Sequence, residues 1–160
     1  MPNKKPKRDF RWSMYPKLHD DVSRLLGKDN LDFQFHTIDD SKGCTEEYET
    51  NIMGRFICRN NSCSSSGWSS KKIAIIIRMY PGAKYNARVY HQRCKRCNAL
   101  SRPFLDTSYA ERVVYRLKKW RGVQMDVPHY SGENKGRPHN SDLCEGCKDG
   151  RCSAFGSLWL

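Results

Sequence analysis

Long apolar runs are missing from this chain of 160 residues. The longest, Ile73 to Ile77, is strand-sized, well short of the roughly 20 apolar residues that a membrane-spanning helix needs. The basic stretch Met1-Pro2-Asn3-Lys4-Lys5-Pro6-Lys7-Arg8 has no apolar run behind it, so it does not read as a secretory signal. No internal repeat is evident. Acids are scarce in the middle. From Thr50 to Met125 only Asp106 and Glu111 face sixteen bases: Arg55, Arg59, Lys71, Lys72, Arg78, Lys84, Arg88, Arg93, Lys95, Arg96, Arg102, Arg112, Arg116, Lys118, Lys119 and Arg121. The acids lie earlier, nine against three bases between Asp20 and Glu49, and the net charge is +12. A basic middle favours an acidic partner such as RNA, DNA or an acidic protein face. Hydrophobic residues make up 38%, so a core is possible but not generous, and small folds short of core add a metal or disulfides.

The eight cysteines are where that supplement is sought. A chain kept in the cytoplasm or nucleus holds its thiols reduced, and clustered cysteines there favour metal over disulfide. The tightest spacing is Cys94-x2-Cys97, in Tyr90-His91-Gln92-Arg93-Cys94-Lys95-Arg96-Cys97. Cys58 and Cys63 lie upstream, and Cys144, Cys147 and Cys152 downstream. With His139 these make eight donors, which fill two tetrahedral zinc sites. The local partition joins Cys58, Cys63, Cys94 and Cys97 in one all-thiolate site, and His139, Cys144, Cys147 and Cys152 in a second. An interleaved partition, with Cys144 and Cys147 joined to an upstream pair, stays open. His139 reads first as a ligand, with a surface-loop histidine beside Pro138 as the alternative; Cys44 could replace it, although Cys44 reads first as a free thiol. His91 competes as a ligand but sits on a strand, where packing or hydrogen bonding is commoner.

Periodicity supplies the frame. Residues 1–17 read as a basic, proline-containing arm. Leu18, Val22, Leu25 and Leu26 repeat at helical spacing before Gly27, and Leu31, Phe33 and Phe35 alternate as in a half-buried strand. Residues 39–51 read as an acidic linker or surface loop. Phe56-Ile57-Cys58 is a short strand. Lys72 to Tyr80 is β-branched and strand-like, Pro81-Gly82 is a turn, and Lys84 to His91 returns, completing a hairpin. Ser108-Tyr109-Ala110-Glu111 has the form of a capping box. Behind it, Ala110, Val113, Val114, Leu117 and Trp120 make an apolar stripe opposite Arg112, Arg116 and Lys119, and Gly122 stops the helix. Residues 123–138 read as loop. The expected class is α+β: a small antiparallel β-hairpin or meander with one packed amphipathic helix, stapled by two structural zinc sites. Residues 1–50 form the arm, short helix and linker, residues 51–155 the zinc domain, and residues 156–160 a short tail.

These residues resemble the three-CxxC zinc-binding domain family, shared by receptor-transporting proteins, zygote arrest proteins and many fungal proteins. The similarity spans roughly residues 53 to 152. It rests on Gly54-Arg55-Phe56-x-Cys58, Trp68, the strand to Tyr80, and Tyr85-Asn86-Ala87-Arg88-Val89-Tyr90-His91-Gln92-Arg93-Cys94-Lys95-Arg96-Cys97. It continues through Tyr109-Ala110-Glu111-Arg112 and Pro138-His139-x-Ser141-x-x-Cys144-Glu145-Gly146-Cys147-x-x-Gly150-x-Cys152. The family's first pair is Cys-x2-Cys, whereas four residues separate Cys58 from Cys63 here. Receptor-transporting members commonly carry a C-terminal membrane anchor; Phe155-Gly156-Ser157-Leu158-Trp159-Leu160 does not read as one, so a role in membrane-receptor trafficking is not expected.

A hydrolytic zinc keeps a position open for water beside a carboxylate base. Thiolates fill most of the donor count here, and the acids near the cysteine pairs are Asp142, Glu145 and Asp149. The expectation is a module that is not an enzyme and that binds a protein partner, as the receptor-transporting members imply. The alternative, implied by the zygote arrest members, is RNA, with Tyr85, Tyr90, Tyr109, Tyr115 and Trp120 as stacking candidates.

Overall fold

The β-branched run of the sequence becomes the spine of a sheet that is buried on both faces. A computed structural model describes residues 10–125 and 139–152. Its strands are β1 (Trp12–Ser13), β2 (Gln34–Phe35), β3 (Glu46–Phe56), β4 (Trp68–Tyr80), β5 (Lys84–Tyr90), β6 (Gln92–Arg93), β7 (Leu100–Ser101) and β8 (Phe104–Leu105). Its helices are α1 (His19–Gly27), α2 (Ser108–Trp120) and the single-turn α3 (Glu145–Lys148). Among the described residues the main sheet runs β1-β5-β4-β3-β8, with β2 paired in parallel to β5 and the other pairs antiparallel; β6 and β7 form a separate pair. The α+β class holds, with a larger sheet than a hairpin.

Period-two geometry sends Ile73, Ile75 and Ile77 of β4 to one face and Ala74 and Ile76 to the other, and all five are buried. The first face meets Val22 and Leu26 of α1 and Val113, Val114 and Leu117 of α2. The second face packs on Tyr90, Cys144, Cys147 and Cys152, with Trp12 at its edge. A strand covered on both sides reads as a continuous apolar run rather than an alternating one.

The segment expected as an acidic linker differs. From Glu46 onward it is β3, paired with β4 from Glu46↔Met79 to Phe56↔Trp68. Its acids are internal partners for the basic middle. Arg78 reaches Asp39 at 2.9 Å and Glu47 at 3.3 Å, Arg88 reaches Asp39 at 2.9 Å, and Arg151 reaches Glu49 at 2.7 Å. The alternation of Tyr48, Thr50 and Ile52 with Glu47, Glu49 and Asn51 is the strand signal that the charge had masked.

The helix over 108–120 forms as the stripe predicts, and Gly122, at φ +75°, follows it. The capping box does not form. The Ser108 hydroxyl instead accepts from the Met53 N–H at 2.8 Å and donates to the Met53 carbonyl at 3.3 Å, while the Ser108 N–H is capped by Asp106 at 2.8 Å. That ties the start of α2 to β3. The arginine stripe is likewise not fully solvated: the Arg116 guanidinium lies 3.3 Å over the Tyr48 ring. Of the stacking candidates, Tyr85, Tyr90 and Tyr109 are fully buried. They fill the core, so they offer nucleic acid no platform. Residues 1–9, 126–138 and 153–160, which include most of the expected basic arm, most of the 123–138 loop and the tail, lie outside the described residues.

Candidate metal centres

The two cysteine pairs of the first site are each delivered by a short turn at the end of a strand. β3 ends at Phe56 and hands Cys58 and Cys63 to the loop before β4. The chain reverses there at Gly67, which has φ +102°, and a Cβ on it would lie 2.3 Å from the Phe56 carbonyl oxygen. Only glycine allows that approach. Phe56 and Trp68 close the loop's neck as stacked rings with centroids 4.9 Å apart. Opposite, β6 and β7 flank the turn that carries Cys94 and Cys97. The Cys94 N–H donates to the Ala99 carbonyl at 2.9 Å and the Asn98 N–H to the Cys94 carbonyl at 2.8 Å. The four thiols converge, with sulfurs 3.4 Å apart for Cys58 and Cys97 and 3.9 Å for Cys63 and Cys94. The wider first spacing is absorbed by a turn, in which the Cys63 N–H donates to the Asn60 carbonyl at 3.0 Å and the Ser62 N–H to Asn60 Oδ1 at 3.0 Å.

The second group is one loop folded under the sheet. Cys144 caps α3, its sulfur accepting from the Cys147 N–H at 3.4 Å. His139 Nε2 lies 3.2 Å from the Cys147 sulfur and 3.6 Å from that of Cys152. Asn51 of β3 donates to the Cys152 sulfur at 3.6 Å. Gly146 lies against β4: a Cβ there would come within 2.4 Å of the Ala74 Cβ. Gly146→Ala is therefore expected to destabilise the zinc-loaded protein by about 1–3 kcal/mol through overpacking. Ala74→Gly in the same chain should recover part of that loss in a thermal melt.

These separations fit one ion per cluster. Tetrahedral zinc with Zn–S near 2.3 Å places its sulfurs about 3.8 Å apart, and a sulfur and an imidazole nitrogen about 3.6 Å apart. A disulfide needs about 2.05 Å, and all eight cysteines are unbridged. The donor set itself calls for a cation. Burial alone would raise the Cys94 thiol, but the N–H groups of Cys97 and Arg96 aimed at it bring it down to about 6. Cys147 is pushed up to about 12, by burial first and then by Cys152. Cys144 is raised by its hydrogen bond with Cys152 and by burial. Crowded thiols hinder one another's ionisation, and a divalent ion removes that hindrance. Two zinc ions match the two clusters.

The structure thus brings all eight predicted donors together in the local partition, and the interleaved one does not occur. Cys44 stands outside both clusters, half-buried. His91 is not among the clustered donors: it is buried, with Nε2 2.5 Å from the Ser13 hydroxyl. Burial, only partly opposed by a backbone contact at Phe10, lowers its pKa from 6.5 to about 4. The unfolded chain therefore takes up this proton first. The stability contributed by neutral His91 is full above about pH 6.5 and is lost as pH falls toward 4, a difference of about 3 kcal/mol. In zinc-loaded protein, His91→Gln should flatten the fall in melting temperature between pH 7 and pH 5.

The residue most easily overlooked in the sequence is Glu145. It is 1% exposed, and its carboxylate accepts from Arg11 Nε and Arg93 Nε, each at 2.7 Å. Burial would raise it, but these two arginines hold it below the ordinary carboxylate range. In the sequence it stands as the acid inside the Cys144-x2-Cys147 pair.

Among the described residues no helix is long and apolar enough to cross a membrane. Compared with known families, residues 51–150 match the 3CxxC zinc-ribbon family, described as a zinc-binding domain. No curated protein matches the chain, and no solved structure does.

Proposed function

The chain belongs to the 3CxxC zinc-ribbon family of zinc-binding domains, and from that premise we propose that it is a non-catalytic module whose two zinc ions are structural and whose task is to dock a protein partner. The observation that carries the structural role is donor number. Each cluster supplies four protein ligands, Cys58, Cys63, Cys94 and Cys97 in one and His139, Cys144, Cys147 and Cys152 in the other. A tetrahedral ion so held has no position left for water, whereas catalytic zinc keeps one open. Unbridged thiols in such number suit a reducing compartment, the cytoplasm or nucleus.

Protein docking is supported by the end of the sheet beside the first zinc site. Ile57 is 55% exposed and Phe104 is 63% exposed. Phe104 stands opposite Arg55 across the β3–β8 pair, and Lys95, Arg96 and Arg102 are exposed nearby in the chain. An exposed aliphatic and an exposed aromatic side chain, with Arg55 opposite the aromatic one, suit an apolar segment flanked by Asp or Glu. Ile57 offers nothing to a nucleobase, and Tyr85, Tyr90 and Tyr109 are interior, which leaves Tyr115 and Trp120, both half-buried, as the stacking candidates.

The test uses fluorescently labelled peptides with Leu and Phe interleaved among acids, alongside a single-stranded RNA pool. Peptide binding by the wild type, weakened about tenfold or more by Phe104→Asp, is the expected result; hot-spot truncations of 2 kcal/mol or more correspond to such losses. RNA binding that falls steeply with salt, without peptide binding, would move the assignment to RNA.

A further inference from the structure

The two metal loops are built on a shared strand. β6 (Gln92–Arg93) leads directly into Cys94, and its backbone is bound to the loop of the second site. Gln92 bridges Cys144, the Arg93 N–H donates to the Leu143 carbonyl at 2.9 Å, and the Glu145 N–H donates to the His91 carbonyl at 3.2 Å. Side chains repeat the link. Arg93 Nε donates to Glu145 Oε1 at 2.7 Å, while Nη1 of the same guanidinium donates to the Asn98 carbonyl at 3.2 Å, on the residue after Cys97. The other Glu145 oxygen is held by Arg11 at 2.7 Å, and Lys148 approaches the carboxylate at 3.5 Å.

We propose that the two zinc sites load cooperatively, with Arg93 and Glu145 as positioning residues that transmit order from one metal loop to the other. This rests on the structural-zinc reading above. An ion in the second site fixes Cys144 and Cys147 and so places Glu145. A carboxylate buried to this degree needs its cations, because an uncompensated buried charge is costly. Placing Glu145 therefore draws in Arg93, and Arg93 orders the turn that carries Cys94 and Cys97. The effect runs equally in reverse, since coupling between two binding equilibria is reciprocal. Couplings of this kind are typically about 5- to 150-fold in affinity.

Native mass spectrometry of apo full-length protein titrated with zinc sulfate measures it directly, by counting chains with no, one and two ions. At half-saturation, uncoupled sites leave at least about half of the chains with one ion, and coupling by a factor of about ten between similar sites lowers that share to about a quarter. The wild type is expected near the lower value. Arg93→Gln and Glu145→Gln should each raise the one-ion share to about half or above while still reaching two ions at saturation. A one-ion share that neither variant raises above the wild-type value overturns the coupling. If Glu145→Gln does not refold with zinc, Arg93→Gln, at a partly exposed position, carries the comparison. Failure to bind any zinc at saturation would instead remove the structural-zinc reading itself.

Discussion

Chelating both zinc ions is expected to unfold the chain, not merely to loosen its loops. A structural zinc site supplies on the order of 10 kcal/mol of folding free energy, and a typical domain is stable by only about 5–15 kcal/mol in total. The helix-covered face of the sheet has its own apolar cluster. The other face does not: Ala74, Ile76 and Tyr90 are covered by Trp12 and by the cysteines of the second site. Without its ion, the loop from His139 to Cys152 is held there mainly by polar contacts: the Glu145 ion pairs, Arg151 on Glu49, Tyr90 on Asp149 and the bonds to β6. Exhaustive chelation should abolish the cooperative thermal transition and most of the far-ultraviolet circular dichroism. Readdition of zinc should restore both at about two ions per chain. An unchanged melt after complete metal removal would sink the idea that metal holds this fold.

The second large effect is a contrast among cysteines. Cys97→Ser and Cys147→Ser should each cost most of one site, leaving zinc-dependent folding severely impaired. A serine hydroxyl is a poor zinc ligand, and three donors leave the ion open to water. Cys44→Ser should change stability by no more than about 0.5 kcal/mol, the usual range for substitutions away from such features, because Cys44 belongs to neither cluster. Zinc content and melting temperature of the three proteins, measured side by side, test this. Equal losses across all three would mean that the ligand set is wrong.

Several elements were legible because their signals are local. The stripe from Ala110 to Trp120 required only helical spacing, and the isoleucines of β4 only β-branching and length. The Cys94-x2-Cys97 turn and the loop from His139 to Cys152 carried their donors within a few residues of one another. Other elements were hidden because their partners are distant in sequence. The segment 39–51 looked like an acidic loop until Arg78, Arg88 and Arg151 supplied cations for Asp39, Glu47 and Glu49. Ser108 looked like a cap until Met53 was brought beside it. Tyr85, Tyr90 and Tyr109 have the composition of a binding surface, and only packing reveals them as core.

From the sequence alone came the seven cysteine donors, the α+β class and the best helix, because donor chemistry and side-chain period are properties of neighbouring residues. Tertiary structure alone decided that the donors divide locally with His139 as the eighth, that the acidic segment from Glu46 is a strand of the main sheet, and that Glu145 joins the two metal loops. Each of those depends on which chain segments lie side by side, and that is set by strand pairing and burial across long separations, which no short-range pattern encodes.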